Sequence, residues 1–286
     1  MGVGLVLEGG GMRGWYTCGV LTSLAEHGIR FPCVYGISAG ALNALSYISG
    51  QNSREYNQTF LRLAFGERRA DAENPKDTGS AFTFDFLFGE LFHTLLPFDY
   101  DAFFRSPVNL VTGTTDLKSG LPVFYNKSDF DEDFTAVRAS CSLPFVSAPV
   151  SFRGRELMDG GCSMPIPIEQ SISDGNERNV IVLTRDASYR KDACPEYPQT
   201  ELQAEYGGYP NFVEAMLRRA EVYNGELEIC RREAEKKAVI IRPRVPITVG
   251  RWEADPEKLH EIYELGIRDC EASLRDVAEI LRKAGM

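Results

Sequence analysis

Two short apolar strands, each running into a small-residue turn and then a helix, decide what this chain can fold into. Val3 to Leu7 is followed by Glu8-Gly9-Gly10-Gly11-Met12-Arg13-Gly14, and Cys33 to Ile37 leads into Ser38-Ala39-Gly40. Trp15 to His27 places Val20, Leu21, Leu24 and Ala25 at helical spacing. His27-Gly28 then supplies a cation in the last turn and a left-handed cap. Ala39 to Ile48 reads as the second helix. Strand, turn and helix, twice in succession, predict a mainly parallel sheet in an α/β fold, with sites at the carboxyl ends of the strands.

Downstream, Ser53 to Phe65 predicts another helix and Glu67 to Ser80 a polar surface loop. Val108 to Thr114 and Pro122 to Tyr125 read as strands around a Lys118-Ser119-Gly120 turn, and Phe134 to Ser142 as a helix stopped by Pro144. Glu156-Leu157-Met158 leads into Asp159-Gly160-Gly161, and Asn179 to Leu183 is a further buried strand. Arg185 to Pro210 is polar and proline-bearing, as a loop insertion would be. Asn211 to Lys236 reads as one long charged helix and Val239 to Ile241 as a strand. Asp255-Pro256 opens the last helix as N-cap and first helical residue, with an apolar stripe from Leu259 through Leu281. At 286 residues the chain can bury a large core, and one domain over 1–286 is expected, with 186–286 a helical and strand extension.

Composition narrows the class. The formal charge of −10 argues against nucleic acid or an anionic membrane as a standing partner, and leaves transient contact with a lipid surface through an apolar patch. The seven cysteines are odd in number and form no CxxC, which fits reduced thiols in a cytoplasmic protein better than disulfides or a zinc site. No metal or cofactor is expected. Met1 to Glu8 lacks a basic n-region and reads as the first core strand, and no run approaches the roughly 20 apolar residues of a membrane helix.

The chemistry-bearing residues sit at the turns. In Gly36-Ile37-Ser38-Ala39-Gly40, small residues let the chain bend sharply, lift the serine hydroxyl clear and aim a helix N-terminus at its target. A plain strand–helix turn can have the same sequence. A nucleophilic serine needs a base and an oxyanion hole. Of the three histidines, His27 is explained as a helix cap and His93 lies among phenylalanines. Ser38, Asp159 and His260 do fall in the serine–acid–histidine order of α/β-hydrolases, although His260 lies inside the last helix. Asp159, straight after a short strand and ahead of Gly160-Gly161, is the better candidate base, while Asp-Gly is also an ordinary turn. An aspartate with a pKa near ~3.9 is a weak base, so the fold would have to shield it.

Gly9-x-Gly11-x-x-Gly14 has two readings as well. It matches the dinucleotide GxGxxG, yet the second strand ends without the acid that would hold a ribose. Read instead as an oxyanion loop, it offers Gly10 and Gly11 as donors with Met12 beside them, and Arg13 adds positive charge.

Together, the Glu8–Gly14 loop, the Gly36–Gly40 serine motif and Asp159-Gly160-Gly161 resemble the patatin-like phospholipase family. That family carries a D/E-G-G-G-x-R/K-G loop, GxSxG and D-G-G/A in this order. Ala139-Ser140-Cys141-Ser142-Leu143-Pro144-Phe145 is similar to the small-residue, proline-ended segment before its aspartate, and the likeness covers roughly residues 1–185. The resemblance implies a three-layer α/β/α sandwich and a Ser38–Asp159 dyad without histidine. It further implies acyl-ester hydrolysis through an acyl-serine without metal, on substrates ranging over phospholipids, lysophospholipids and other lipid esters. Glu8 stands where the family more often has aspartate.

Residues 81–104 bear on substrate, with Phe82, Phe84, Phe86, Phe88, Phe92, Phe98, Phe103 and Phe104 close together. They can serve as core packing over the sheet, or as an acyl-chain pocket or interfacial lid, since aliphatic tails need a long apolar groove. Alternation from Phe82 to Phe88 places those four on one face of an extended segment. A nucleotide-binding protein and a non-catalytic lipid-binding adaptor are the alternatives to an esterase.

Overall fold

The computed structural model describes residues 2–65 and 84–286. Its strands are β1 (Gly2–Leu7), β2 (Cys33–Ile37), β3 (Asn109–Asp116), β4 (Pro122–Asn126), β5 (Val150–Phe152), β6 (Arg155–Asp159), β7 (Asn176–Val182) and β8 (Ala238–Ile241). They form one sheet in the order β5-β6-β3-β2-β1-β7-β8, with β4 also paired to β3. From β3 to β8 all neighbours on this path are parallel, whereas β4 and β6 run antiparallel to β3.

Both faces of the sheet are covered, so its central strands read as continuous apolar runs. Val3, Leu5 and Leu7 of β1 point into one core with Val180 and Val182, and Val6, Tyr35 and Ile181 point into the other. The helices are α1 (Gly14–Glu26), α2 (Ala39–Ser49), α3 (Arg54–Phe65), α4 (Phe86–Leu95), α5 (Tyr100–Arg105), α6 (Thr135–Ser140), α7 (Ile168–Ser173), α8 (Gln199–Tyr206), α9 (Pro210–Leu217), α10 (Arg219–Ala234), α11 (Pro256–Glu271) and α12 (Leu274–Lys283). Side chains of α1, α2 and α11 join the first core and those of α10 the second, giving the expected three layers. The tightest helix contact is between α1 and α11. A Cβ on Gly19 would stand 2.0 Å from Tyr263 O, and one on Gly266 would stand 2.1 Å from Tyr16 O.

Several local expectations are corrected. Residues 84–95 are helical and not extended: Leu96 N–H donates to Leu91 O, five residues back, the wide turn of a π-helix. Leu87, Phe88, Leu91 and Phe92 consequently form the buried stripe, with Phe88 and Phe92 rings 5.6 Å apart one turn on. Phe82 and the expected 67–80 loop lie outside the described residues. The 185–210 stretch contains α8, and the single charged helix expected after it is two, α9 and α10, meeting at Arg218. The last helix likewise breaks between Glu271 and Leu274. Asp255 caps α11 as expected, accepting from Glu257 N–H at 2.9 Å.

Candidate active site

Register on β3 brings the two candidate catalytic residues together. Ile37 at the end of β2 pairs with Gly113, and Asp159 at the end of β6 pairs with the next residue, Thr114. Because β4 occupies the opposite edge of β3 at both positions, β2 and β6 meet end to end along one edge. Residues more than a hundred apart in sequence thus become neighbours through one shared strand.

Ser38 occupies a strained elbow, with φ 52° and ψ −124° at the N-cap of α2. Such a conformation costs a non-glycine residue about 1–3 kcal/mol and persists only where its surroundings hold it. Three contacts do so. Ser38 N–H donates to Ser140 Oγ at 2.8 Å, Ser140 Oγ donates to Gly113 O at 2.6 Å, and Leu42 N–H donates to Ser38 O at 3.0 Å. The flanking glycine permits the close approach: a Cβ on Gly40 would lie 2.6 Å from Leu7 O. The amide end of α2 therefore faces the serine.

Asp159 is buried, and Gly161 N–H donates to its Oδ1 at 2.7 Å. Its Oδ2 is buried without a hydrogen-bond partner. Burial raises the pKa of this carboxyl, partly offset by the nearby Ser38 hydroxyl, then by Gly161 N–H and the charges of Arg219 and Arg251. Ser38 and Asp159 are thus close enough to interact, while no Ser38–Asp159 bond of full hydrogen-bond geometry forms. Burial, with the charge of Asp159 adding to it, also pushes up the adjacent Cys141 thiol, which stays protonated and poorly nucleophilic.

In the glycine loop, Gly11 has φ 56° and opens a single tight turn, Gly11–Arg13, ahead of α1. Met12 N–H donates to Arg251 O and Arg13 N–H to Gly10 O. Of the four residues expected to hold an oxyanion, two therefore have their amides engaged, and the amides of Gly10 and Gly11 make no hydrogen bond among the described residues. Glu8 anchors the loop from below. Its carboxylate accepts from Thr184 N–H at 2.5 Å and from Tyr223 OH at 2.9 Å, tying β1 to the end of β7 and to α10. Burial raises its pKa as well.

Two cavities open on Ser38. One, of about 150 Å³, is apolar and lined by Trp15, Leu42, Phe60, Phe84, Leu87 and Phe92, with half-exposed Trp252 at its edge. The other, of about 60 Å³, reaches Asp159 and the glycine loop and carries Arg13, Arg185, Lys191, Arg219 and Arg251. No histidine lines either. His27 caps α1 through Ser23 O, His93 stacks on Tyr100 and His260 on Tyr263, so the structure does not bring His260 to Ser38 and Asp159. Among the described residues no group of His, Cys, Asp and Glu is placed to hold a metal, and no helix is long and apolar enough to cross a membrane.

Sequence reasoning missed the four cations beyond residue 172, because on a charged helix or polar loop an arginine reads as a solvated residue. It also missed Ser140, whose bridge depends on packing between α6 and β3. The small-residue run around Ser140 was the only signal pointing there.

Comparison with known proteins bears on the fold and the family. The structure superposes on the crystal structure of VipD from Legionella pneumophila with a TM-score of 0.51, covering 96% of this chain and 67% of that one at 13% identity, a likeness of fold. Lysophospholipase NTE1 of Scheffersomyces stipitis is 26% identical over 293 residues, which is 93% of this chain and 17% of that protein. An uncharacterized NTE family protein of Mycobacterium tuberculosis is 29% identical over 181 residues, 58% of this chain and 44% of that one. The chain thus spans less than a fifth of the length of the yeast relative. Residues 209–282 match a domain of unknown function, DUF6363. Residues 5–172, which hold the glycine loop, Ser38 and Asp159, match the patatin-like phospholipase family, and the chain belongs to that family.

Proposed function

We propose that the chain is a serine acyl hydrolase of lipid esters, of the phospholipase A or lysophospholipase type, working through Ser38 and Asp159. One observation carries the reading: a serine held in a strained elbow beside a buried carboxylate whose Oδ2 has no other partner. Ser38 Oγ attacks the ester carbonyl carbon as its proton passes to Asp159 Oδ2, and the raised pKa makes that carboxylate a better base than an ordinary aspartate. The Gly10 and Gly11 amides and the N-terminus of α2 face the charge that develops on the carbonyl oxygen. Asp159 then returns the proton to the departing alkoxide, leaving acyl-Ser38. Water, deprotonated by Asp159, attacks the acyl carbon, and the proton returns to Ser38 as the fatty acid leaves. The apolar cavity suits the acyl chain, and Phe84 and Phe92 contribute to it. The protein would meet its substrate by transient contact with a lipid surface, and we place it in the cytoplasm as a single domain.

The test is hydrolysis of p-nitrophenyl esters from short to long acyl chains, with active-site labelling by a fluorophosphonate. Ser38→Ala is expected to lower turnover by about 10³-fold or more and to abolish labelling. A folded wild type that neither turns over nor labels would instead favour the lipid-binding adaptor.

A further inference from the structure

Five cations converge on the polar cavity beside Ser38, and the carboxylates there do not balance them. Lys191, Arg219 and Arg251 all pair with the single carboxylate of Glu196. Arg185 lies 4.4 Å from the Tyr189 ring centroid, and neither it nor Arg13 has a carboxylate within salt-bridge distance among the described residues. Arg13 Nε is buried with no hydrogen-bond partner. Burial and the neighbouring Arg185 depress the Arg13 guanidinium to about 10, and the charge of Glu8 offsets this only in part. Glu8, on the same wall, is committed to Thr184 and Tyr223. None of this reflects a basic chain, since the net charge is −10.

Size and chemistry narrow the occupant. The cavity, of about 60 Å³, holds roughly four or five water-sized groups, which suits a compact anion and not an acyl chain. Guanidinium forks match phosphate oxygens. A phosphate monoester carries about −1.5 to −2 charge at neutral pH, whereas a quaternary ammonium would face like charge.

We propose that this cavity is a headgroup subsite for a phosphate monoester carried on the acyl-ester substrate, with the region beyond residue 172 supplying most of its charge. The proposal rests on the reading of Ser38 as nucleophile and names the substrate class of that site. Four of the five cations lie past the end of the family match, and Arg219 and Arg251 fall in the segment of unknown function, which thereby acquires a role in substrate choice. Glu196 is the internal counter-charge that keeps three of them in place. Burial pushes its carboxyl up, but Arg219 and Arg251 outweigh this and hold it at about 2.

The test compares three substrates of one acyl chain in the same uncharged detergent micelle: 1-acyl-glycerol 3-phosphate, 1-acyl-glycerophosphocholine and 1-acyl-glycerol. kcat/KM for the phosphate monoester is expected to exceed the other two by about tenfold or more. That ratio should fall about tenfold in Arg185→Gln and recover in part in Arg185→Lys. Equal rates on the monoester and the phosphocholine ester, or a ratio unmoved by Arg185→Gln, overturn the proposal. Calorimetry with inorganic phosphate separates the sources: Arg185-dependent binding with no substrate preference means a free anion occupies the cavity, which also overturns it. Should wild type turn over none of these esters nor any p-nitrophenyl ester, the nucleophile reading fails. Glycerol 3-phosphate binding then decides the subsite alone, upheld if lost in Arg185→Gln and overturned if absent from wild type.

Discussion

Ser38 sits between two chambers built on different principles. The apolar one is lined mostly by helices near one another in sequence, α1, α2, α3 and α4, with Leu143, Val146 and Trp252 added from elsewhere. The charged one gathers side chains from Arg13 to Arg251, drawn from the glycine loop, the loop after β7, α10 and the loop before α11. Burial of a hydrocarbon chain is non-directional and scales with area, so the first chamber can select for length and little else. Hydrogen-bonded charge is directional and short-ranged, so the second can discriminate chemistry. On the reading proposed above, one scaffold divides recognition: chain length on one side, headgroup on the other.

The largest effect is expected from removing the proposed base of Ser38, the residue on which both chambers open. Asp159→Asn is expected to lower kcat/KM by about 10³-fold on every ester, long or short, charged or neutral. It should also stabilise the fold at neutral pH. The native carboxyl has its pKa raised from 3.8, so it binds its proton to higher pH than the unfolded chain. Its contribution is therefore fully present at low pH and lost as pH rises through the native value, and a neutral amide escapes that loss. A thermal melt at pH 7 in which the variant is less stable than wild type contradicts this. For the same reason, the acidic limb of the kcat/KM profile should lie above the ordinary aspartate range.

Glu8→Ala comes next, because it loosens the floor of the charged chamber and leaves that of the apolar one. Stranding Thr184 N–H and Tyr223 OH should cost about 2–4 kcal/mol, read by denaturant unfolding. Glu8→Gln, which can still accept from Thr184, should lose less than half as much. Leu42→Trp acts on the apolar chamber alone. Filling it should cut kcat/KM for long acyl chains about tenfold relative to short ones, moving the chain-length optimum downward. An equal loss at all lengths would show that Leu42 does not border the acyl path.

What could be read from sequence follows the same division. Strands β1 and β2, helices α1 and α2 and the glycine-flanked serine were legible because their patterns are local: apolar runs, caps and small residues at turns. Asp159 was legible only in company with the other motifs, since Asp-Gly alone marks any turn. Alternation misled at Phe84–Phe88, where a wide-turned helix buries Leu87 and Phe88 side by side. The helix break at Arg218 carried no proline or glycine to announce it. Lys191, Arg219 and Arg251 could not be assigned from sequence at all, because the common partner that gathers charges from α10 and two loops is Glu196, visible only after folding.

The contact between α1 and α11 acts as a lever. Its glycines allow backbone to touch backbone, so no rotamer change could absorb a new methyl group at Gly266; the helices would have to separate. Helix α1 begins where the glycine loop ends, and its displacement would carry the Gly10 and Gly11 amides with it. A shift of about 1 Å at a reacting centre is enough to cost about 10²-fold in rate. The alignment of the loop beside Ser38 is therefore set in part by a residue more than two hundred positions away, on a helix that lines neither cavity.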